Sequence, residues 1–242
     1  MSRTRALAAL LFAAASMPAI AGPPYLTDDP VPTDLAHWEI YAFTAADGHG
    51  PAFDDATGLD LNYGAFKNVQ LTATVPLGLT RDRSRALRAG TGDLELAVKY
   101  RILNDERSGI SAAVFPRAIL PTSSLEHGEK TRLLLPLWVE KDFAGGTSLF
   151  GGGGYEINPG PGNRNFWQAG AALTHDVGSR LSIGAELTRQ GSDTVGASGQ
   201  TSAGVGAILK VSESRALLVS AGPTWADRRT GYHVYASLGL DF

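Results

Sequence analysis

No cysteine occurs in the 242 residues, so disulfides play no part in holding the chain together. Nor is there an apolar run approaching the roughly 18 residues that a membrane-crossing helix needs. Neither sign of charge dominates: 21 Lys and Arg against 24 Asp and Glu leave a formal net charge of −3. Without bulk basicity, no nucleic-acid partner is expected. Past residue 35 no convincing 3.6-residue apolar period appears, which argues against a helical bundle. Only five histidines are present, with no Gly-x-Ser-x-Gly elbow and no His-Glu-x-x-His zinc helix. No catalytic residue, metal or cofactor is therefore expected, and the chain is not read as an enzyme. His175 and His233 read as ordinary interfacial residues, His233 near an external strand end. None of these absences weighs against a transmembrane barrel, whose strands need apolar residues only at alternate positions.

What the chain does have is 29 glycines and a period of two. Leu59, Leu61 and Tyr63 alternate with Asp60 and Asn62; Leu94, Leu96, Val98, Tyr100 and Ile102 alternate with Glu95, Ala97, Lys99 and Arg101. About twelve such segments follow one another, each of the ~10–12 residues that a tilted membrane strand requires. The fourth is expected at 92–103 and the fifth at 108–120. Connections alternate in length: HGPAFDDA then FK, LTRDRSRALRAG then NDERS, PTSSLEHGEK then AGG, with ADRRT as the last of the external set. Soluble sandwiches alternate too, but their strands are usually shorter and their loops lack this two-sided asymmetry. The expectation is an all-β transmembrane antiparallel up-and-down β-barrel of about 12 strands over residues 35–242.

The first 21 residues carry Arg3 and Arg5, an apolar stretch from Ala6 to Ala15, and Ala19-Ile20-Ala21. That order reads as a secretory signal peptide cleaved after Ala21, implying export to the outer membrane of a Gram-negative cell. Residues 22–34 are rich in proline and cannot form a central strand. They are expected either to lie in the periplasm or to enter the lumen as a plug.

The last segment, GYHVYASLGLDF, sets Tyr232 and Phe242 on one face. Ten residues at a barrel tilt span roughly 25 Å, the height of an apolar band between aromatic girdles. Trp38, Tyr100 and Phe242 are expected at the periplasmic interface, and Trp167, Trp225 and Tyr232 at the outer one. A terminal Phe after alternating apolar residues is also similar to the sorting signal read by the barrel-insertion machinery, which would then be a partner.

YLTDDPVPTDLAHWEI, GTGDLELAVKYRIL and AILPTSS, with the terminal phenylalanine, resemble a family of outer-membrane proteins. That family is labelled as transporters or as the MetA pathway of phenol degradation. Ser123 stands where the family often has Gly. The resemblance implies a barrel that moves a small compound, hydrophobic or aromatic.

If the apolar set faces lipid, Tyr41, Phe43, Asp93, Glu95, Lys99, Arg101, Phe115, Arg117, Trp138, Glu140 and Glu186 line the lumen. Glu39, Asp60, Phe150, Tyr235 and Asp241 share their phase. Glu95, Arg101 and Arg117 are expected to form a charge network, since a charge away from water is costly unless paired. Such a lining serves either a passage for an amphipathic solute or simple filling of a narrow lumen. Gly152 and Gly154 would leave space there. Arg81, Arg83, Arg85 and Arg88, with Arg228 and Arg229, mark external loops that could meet lipopolysaccharide phosphates. The remaining partner is outer-membrane lipid, and a monomer is expected.

Overall fold

The computed structural model describes residues 24–50, 52–81, 87–125, 130–227 and 229–242. The expected signal peptide lies outside them. Alternating side chains build fourteen strand segments: β1 (Trp38–His49), β2 (Ala52–Phe66), β3 (Val69–Arg81), β4 (Arg88–Thr91), β5 (Leu94–Asp105), β6 (Ile110–Val114), β7 (Arg117–Leu120), β8 (Arg132–Phe143), β9 (Thr147–Ile157), β10 (Phe166–Val177), β11 (Leu181–Gln190), β12 (Gln200–Ser212), β13 (Arg215–Ala226) and β14 (Arg229–Asp241). β4 and β5 both pair with β3 and form one interrupted strand; β6 and β7 both pair with β5 and β8 and form another. Twelve antiparallel strands therefore close on themselves. The seam is β1 against β14, in register from Glu39↔Asp241 to Gly48↔Tyr232. Trp38 and Phe242 finish it, each N–H donating to the other's carbonyl at 2.7 and 3.1 Å.

Burial is inverted relative to a water-soluble domain. Outward positions are apolar and exposed: Leu71, Val75, Leu135, Leu137, Val219 and Leu238 among others. Buried positions include Asn62, Gln70, Thr72, Lys99, Glu140, Glu186, Ser202 and Ser220. A surface of this kind is stable against hydrocarbon, and the closed ladder leaves no edge that hydrocarbon would fail to satisfy. The structure is thus the all-β transmembrane barrel that the period of two predicts.

The connections differ in two places from the sequence reading. HGPAFDDA is not a long loop: β1 runs to His49, Gly50 turns at φ 62°, and β2 starts at Ala52. Asp54 and Asp55 belong to the strand, hydrogen-bonded to Thr80 and Thr44 respectively. ADRRT is similarly tight, with Asp227 at φ 49° between β13 and β14. The length asymmetry rests on the connections after β3, β7, β9 and β11. One rim therefore carries the longer loops and the other the short turns.

The fifth segment is also not continuous. Pro116 has no N–H, so Val98 N–H donates to Pro116 O at 3.1 Å and receives nothing back. Beside it, Phe115 N–H donates to Pro136 O at 3.1 Å, and Pro136 cannot return the bond either. Pro116, in the gap between β6 and β7, and Pro136 of β8 thus interrupt the ladder in the middle of the wall.

The outward apolar band generates a direct test. Val219 lies mid-strand on that face, and Val219→Arg is expected to destabilise the barrel by about 2–4 kcal/mol in bilayers. Equilibrium unfolding in lipid vesicles measures this, and wild-type stability would contradict an orientation toward lipid.

Candidate functional site

Residues Pro24 to Leu35 enter the barrel rather than lie beneath it. Leu35 bridges in parallel to Gly64 near the short-turn rim. A side chain at residue 64 would collide with the Thr33 and Asp34 carbonyls, so the close approach requires glycine there. Upward from this point Thr33 donates its N–H (2.8 Å) and its hydroxyl (3.1 Å) to Gln70 Oε1. Gln70 in turn donates to Asn62 Oδ1 at 2.7 Å. The segment then crosses the lumen to the opposite wall. Leu26 and Thr27 give their backbone N–H groups to the Glu186 carboxylate at 2.9 and 3.1 Å, and Ser220 Oγ donates to Pro24 O. Tyr25 lies 6.1 Å from the Phe150 ring and sits over Gly184 and Gly206, where any β-carbon would meet it. Pro24 and Pro30 are fully buried.

Mid-way, Asp28 is the centre of an ion network. It accepts from Lys99 Nζ at 3.0 Å and from Arg117 Nη2 at 2.7 Å. Lys99, only 3% exposed, also faces Asp29 at 3.8 Å, and Arg117 reaches Glu95 at 3.2 Å. The Phe115 ring takes both cations against it, Arg117 at 4.2 Å and Lys99 at 4.9 Å. A separate triad joins Arg132 to Asp93 (3.3 Å) and Glu156 (3.2 Å) toward the loop rim.

The residues expected to line the lumen divide as follows. Tyr41, Lys99, Phe115, Trp138, Glu140 and Glu186 are buried inside, while Phe43, Asp93, Glu95 and Arg117 are partly buried on the same face. Phe43 stacks on Tyr235 at 6.3 Å. Arg101 does not join Glu95 and Arg117: it donates to Asn68 Oδ1 at 3.0 and 3.3 Å in the β2–β3 turn. Its strand has by then reached the rim, where a bulge between Arg101 and Leu103 shifts the register. Gly152 and Gly154 leave no space for the inserted segment, because they lie opposite Trp138 and Pro136, and the Trp138 ring packs over Gly152. The aromatic set expected at the interfaces is exposed throughout: Trp38 41%, Tyr100 48%, Trp167 68%, Trp225 42%, Tyr232 40% and Phe242 64%. Trp38 packs on Tyr63 at one rim and Trp167 on Tyr155 at the other, at 4.7 and 4.9 Å.

Sequence reading missed Asp28 and Asp29 as partners of the wall. An acidic pair inside a proline-rich stretch, set against a barrel with Lys99 and Arg117 on its inner phase, was the available signal. It also misjudged His233, which is a lumenal residue 4% exposed, not an interfacial one. Its alternation with Tyr232 and Val234 carried that information.

Two cavities occupy the lumen, the first of them against the inserted segment. One, of ≈ 290 Å³, lies between it and the β1–β3 and β13–β14 walls; the other, of ≈ 620 Å³, opens toward the loop rim, and Thr74 and Glu95 line both.

No family model matches the chain, and no curated relative matches. Solved structures do. The COG4313 outer membrane channel from Pseudomonas putida F1 superposes with a TM-score of 0.71 over 92% of this chain and 100% of that one, at 11% identity. NanC porin gives 0.60 over 84% and 98%, at 10% identity. KdgM porin gives 0.58 over 82% and 97%, at 13% identity. At such identities the likeness is one of fold.

Asp28→Asn would leave Lys99 buried with Asp29, at 3.8 Å, as its remaining carboxylate, beside a long bond to Val31 O at 3.4 Å. A loss on the order of 3 kcal/mol is expected, as for breaking a buried pair. Thermal unfolding together with protease access to residues 24–34 reads it out; unchanged melting and protection would show that the network does not hold the segment.

Proposed function

We propose that this protein is an outer-membrane channel of a Gram-negative bacterium that lets a small organic solute cross without energy input. The observation that carries the reading is the interior: a polar, charged lumen inside a barrel with an apolar outer band, holding two cavities that share Thr74 and Glu95. A barrel serving only as a lipid anchor would have no need of such hollows, since its inner side chains could fill them. Channels and porins among the solved structures of like fold support the same role. Residues 1–21 serve as the export signal, the β14 segment addresses the insertion machinery, and loop arginines meet lipopolysaccharide. The solute's hydrophobic or aromatic body is accommodated by Tyr25, Phe115, Phe150 and Tyr235. This accords with the resemblance to the phenol-degradation family.

A second reading, a barrel permanently closed, is favoured by one observation. Residues 24–34 are anchored to both walls by Gln70, Lys99, Arg117, Glu186 and Ser220. Planar-bilayer conductance separates the two. Protein of residues 22–242 is expected to give a small steady current and protein of residues 35–242 a several-fold larger one. Silence from both, with folding verified by gel mobility before and after boiling, would leave the closed barrel.

A further inference from the structure

Two wall cations hold a carboxylate that does not belong to the wall. Lys99 of β5 and Arg117 of β7 stand on the inner face of adjacent strands, paired at Ala97↔Arg117. Each takes one oxygen of Asp28: Lys99 Nζ donates to Oδ1 at 3.0 Å and Arg117 Nη2 to Oδ2 at 2.7 Å. Both cations also lie against the Phe115 ring, at 4.9 and 4.2 Å. Charge-assisted bonds to both oxygens, made beside an aromatic face, form a strong and directional grip on a carboxylate. Arg117 has capacity left over. Its Nη1 goes to Glu95 at 3.2 Å, but its Nε is buried and bonds to nothing.

The occupant of this grip can leave without opening the sheet. Asp28 is carried by the inserted segment, and the strands close through β1 and β14 with no contribution from residues 24–34. The segment joins the wall at the bridge of Leu35 to Gly64, near the short-turn rim, so its far part is tethered at one end. Beside the grip there is room. Asp28, Lys99, Phe115 and Arg117 all line the ≈ 290 Å³ cavity, and the Tyr25 and Phe150 rings line it too. A hollow of about 150 Å³ already holds benzene, so a one-ring body can lie next to the two cations.

From these observations we infer that Lys99, Arg117 and Phe115 form a binding site for the carboxylate of a small aromatic acid, and that Asp28 is its internal competitor. The solute's carboxylate takes the place of the Asp28 carboxylate, and its ring lies on Phe115 in the cavity. The acidic residues of the lumen do not forbid the exchange. Withdrawal of the segment takes both Asp28 and Asp29 away from the cations, and one incoming carboxylate restores only one of those charges. Glu95 keeps its bond to Arg117 throughout. A solute of positive charge would instead have to lie against Lys99 and Arg117. The inference deepens the channel reading by naming the solute class, but binding at the site does not depend on conduction.

Benzoate, benzyl alcohol and benzylammonium, titrated calorimetrically into the folded barrel in a non-ionic detergent at neutral pH, test it. In the wild-type protein benzoate is expected to bind most tightly and benzylammonium least, and benzoate alone is expected to raise protease access to residues 24–34. A site is open to solute only in the fraction of molecules whose Asp28 has left it, so Asp28→Ala is expected to tighten benzoate about tenfold and benzyl alcohol less than about twofold. Benzoate is also expected to raise the melting temperature of Asp28→Ala, by returning a counter-charge to Lys99 and Arg117, where chloride at the same concentration does not. Benzyl alcohol or benzylammonium matching benzoate in the wild-type barrel overturns the site, and this ranking needs no variant to fold. Benzoate affinity left unchanged in folded Asp28→Ala overturns the competition. A barrel silent in bilayers that ranks the probes as expected loses the channel and keeps the site; a conducting barrel with no preference for benzoate does the reverse.

Discussion

Hydrocarbon offers a backbone no hydrogen-bonding partner, and that constraint governs this molecule from end to end. A sheet in such surroundings cannot have an edge. The first strand must find the last, and here β1 and β14 meet over their whole length, with Trp38 and Phe242 exchanging bonds at the rim. Closure substitutes for the disulfides the chain lacks. It also forces the inside-out distribution of side chains, since the outer phase of every strand faces lipid and only the inner phase can be polar. The interruption at Pro116 and Pro136 is the conspicuous departure, and it falls where both prolines lie next to each other across one strand pair.

Closing the wall transfers the polar problem to the lumen. Twelve strands enclose more space than their own side chains fill, and the interior is lined with carboxylates. The inserted segment answers part of this. Its prolines supply rigidity without unmet N–H groups, its acidic pair neutralises Lys99 and Arg117, and its backbone N–H groups satisfy Glu186. Glycines at 170, 184 and 206 keep the facing wall low enough for Thr27 and Tyr25 to seat. The pairing is incomplete, however. Asp60 accepts from the neutral donors Thr74 and Asn62, and His233 is buried with no hydrogen-bond partner for either ring nitrogen.

How much of this could be read beforehand depends on whether a feature is decided by neighbours in sequence or by neighbours in space. Strand phase is local: Leu94, Leu96 and Val98 against Glu95, Ala97 and Lys99 identify the two faces without knowledge of the partner strand. The exposed aromatics at both rims followed from the same phase. Turn length was less legible, because HGPAFDDA has the polar composition of a loop. Backbone pairing of residues 53–57 with β1 and β3, reinforced by the bonds of Asp54 to Thr80 and of Asp55 to Thr44, draws it into the sheet. Arg101 shares the phase of Lys99 but lies too near the rim to reach Glu95.

The sequence by itself determined the barrel, its approximate strand number and the alternation of faces along each strand, because a period of two over membrane-length strands gives one face to lipid and the other to the lumen. Tertiary structure alone decided where residues 24–34 go, which carboxylate meets which cation, and that His233 is buried without a partner. Those outcomes depend on residues 70 to 200 positions apart in the chain being brought within about 3 Å, as for Asp28 with Lys99 and Pro24 with Ser220. No local pattern encodes such a meeting; the diameter and register of the closed barrel do.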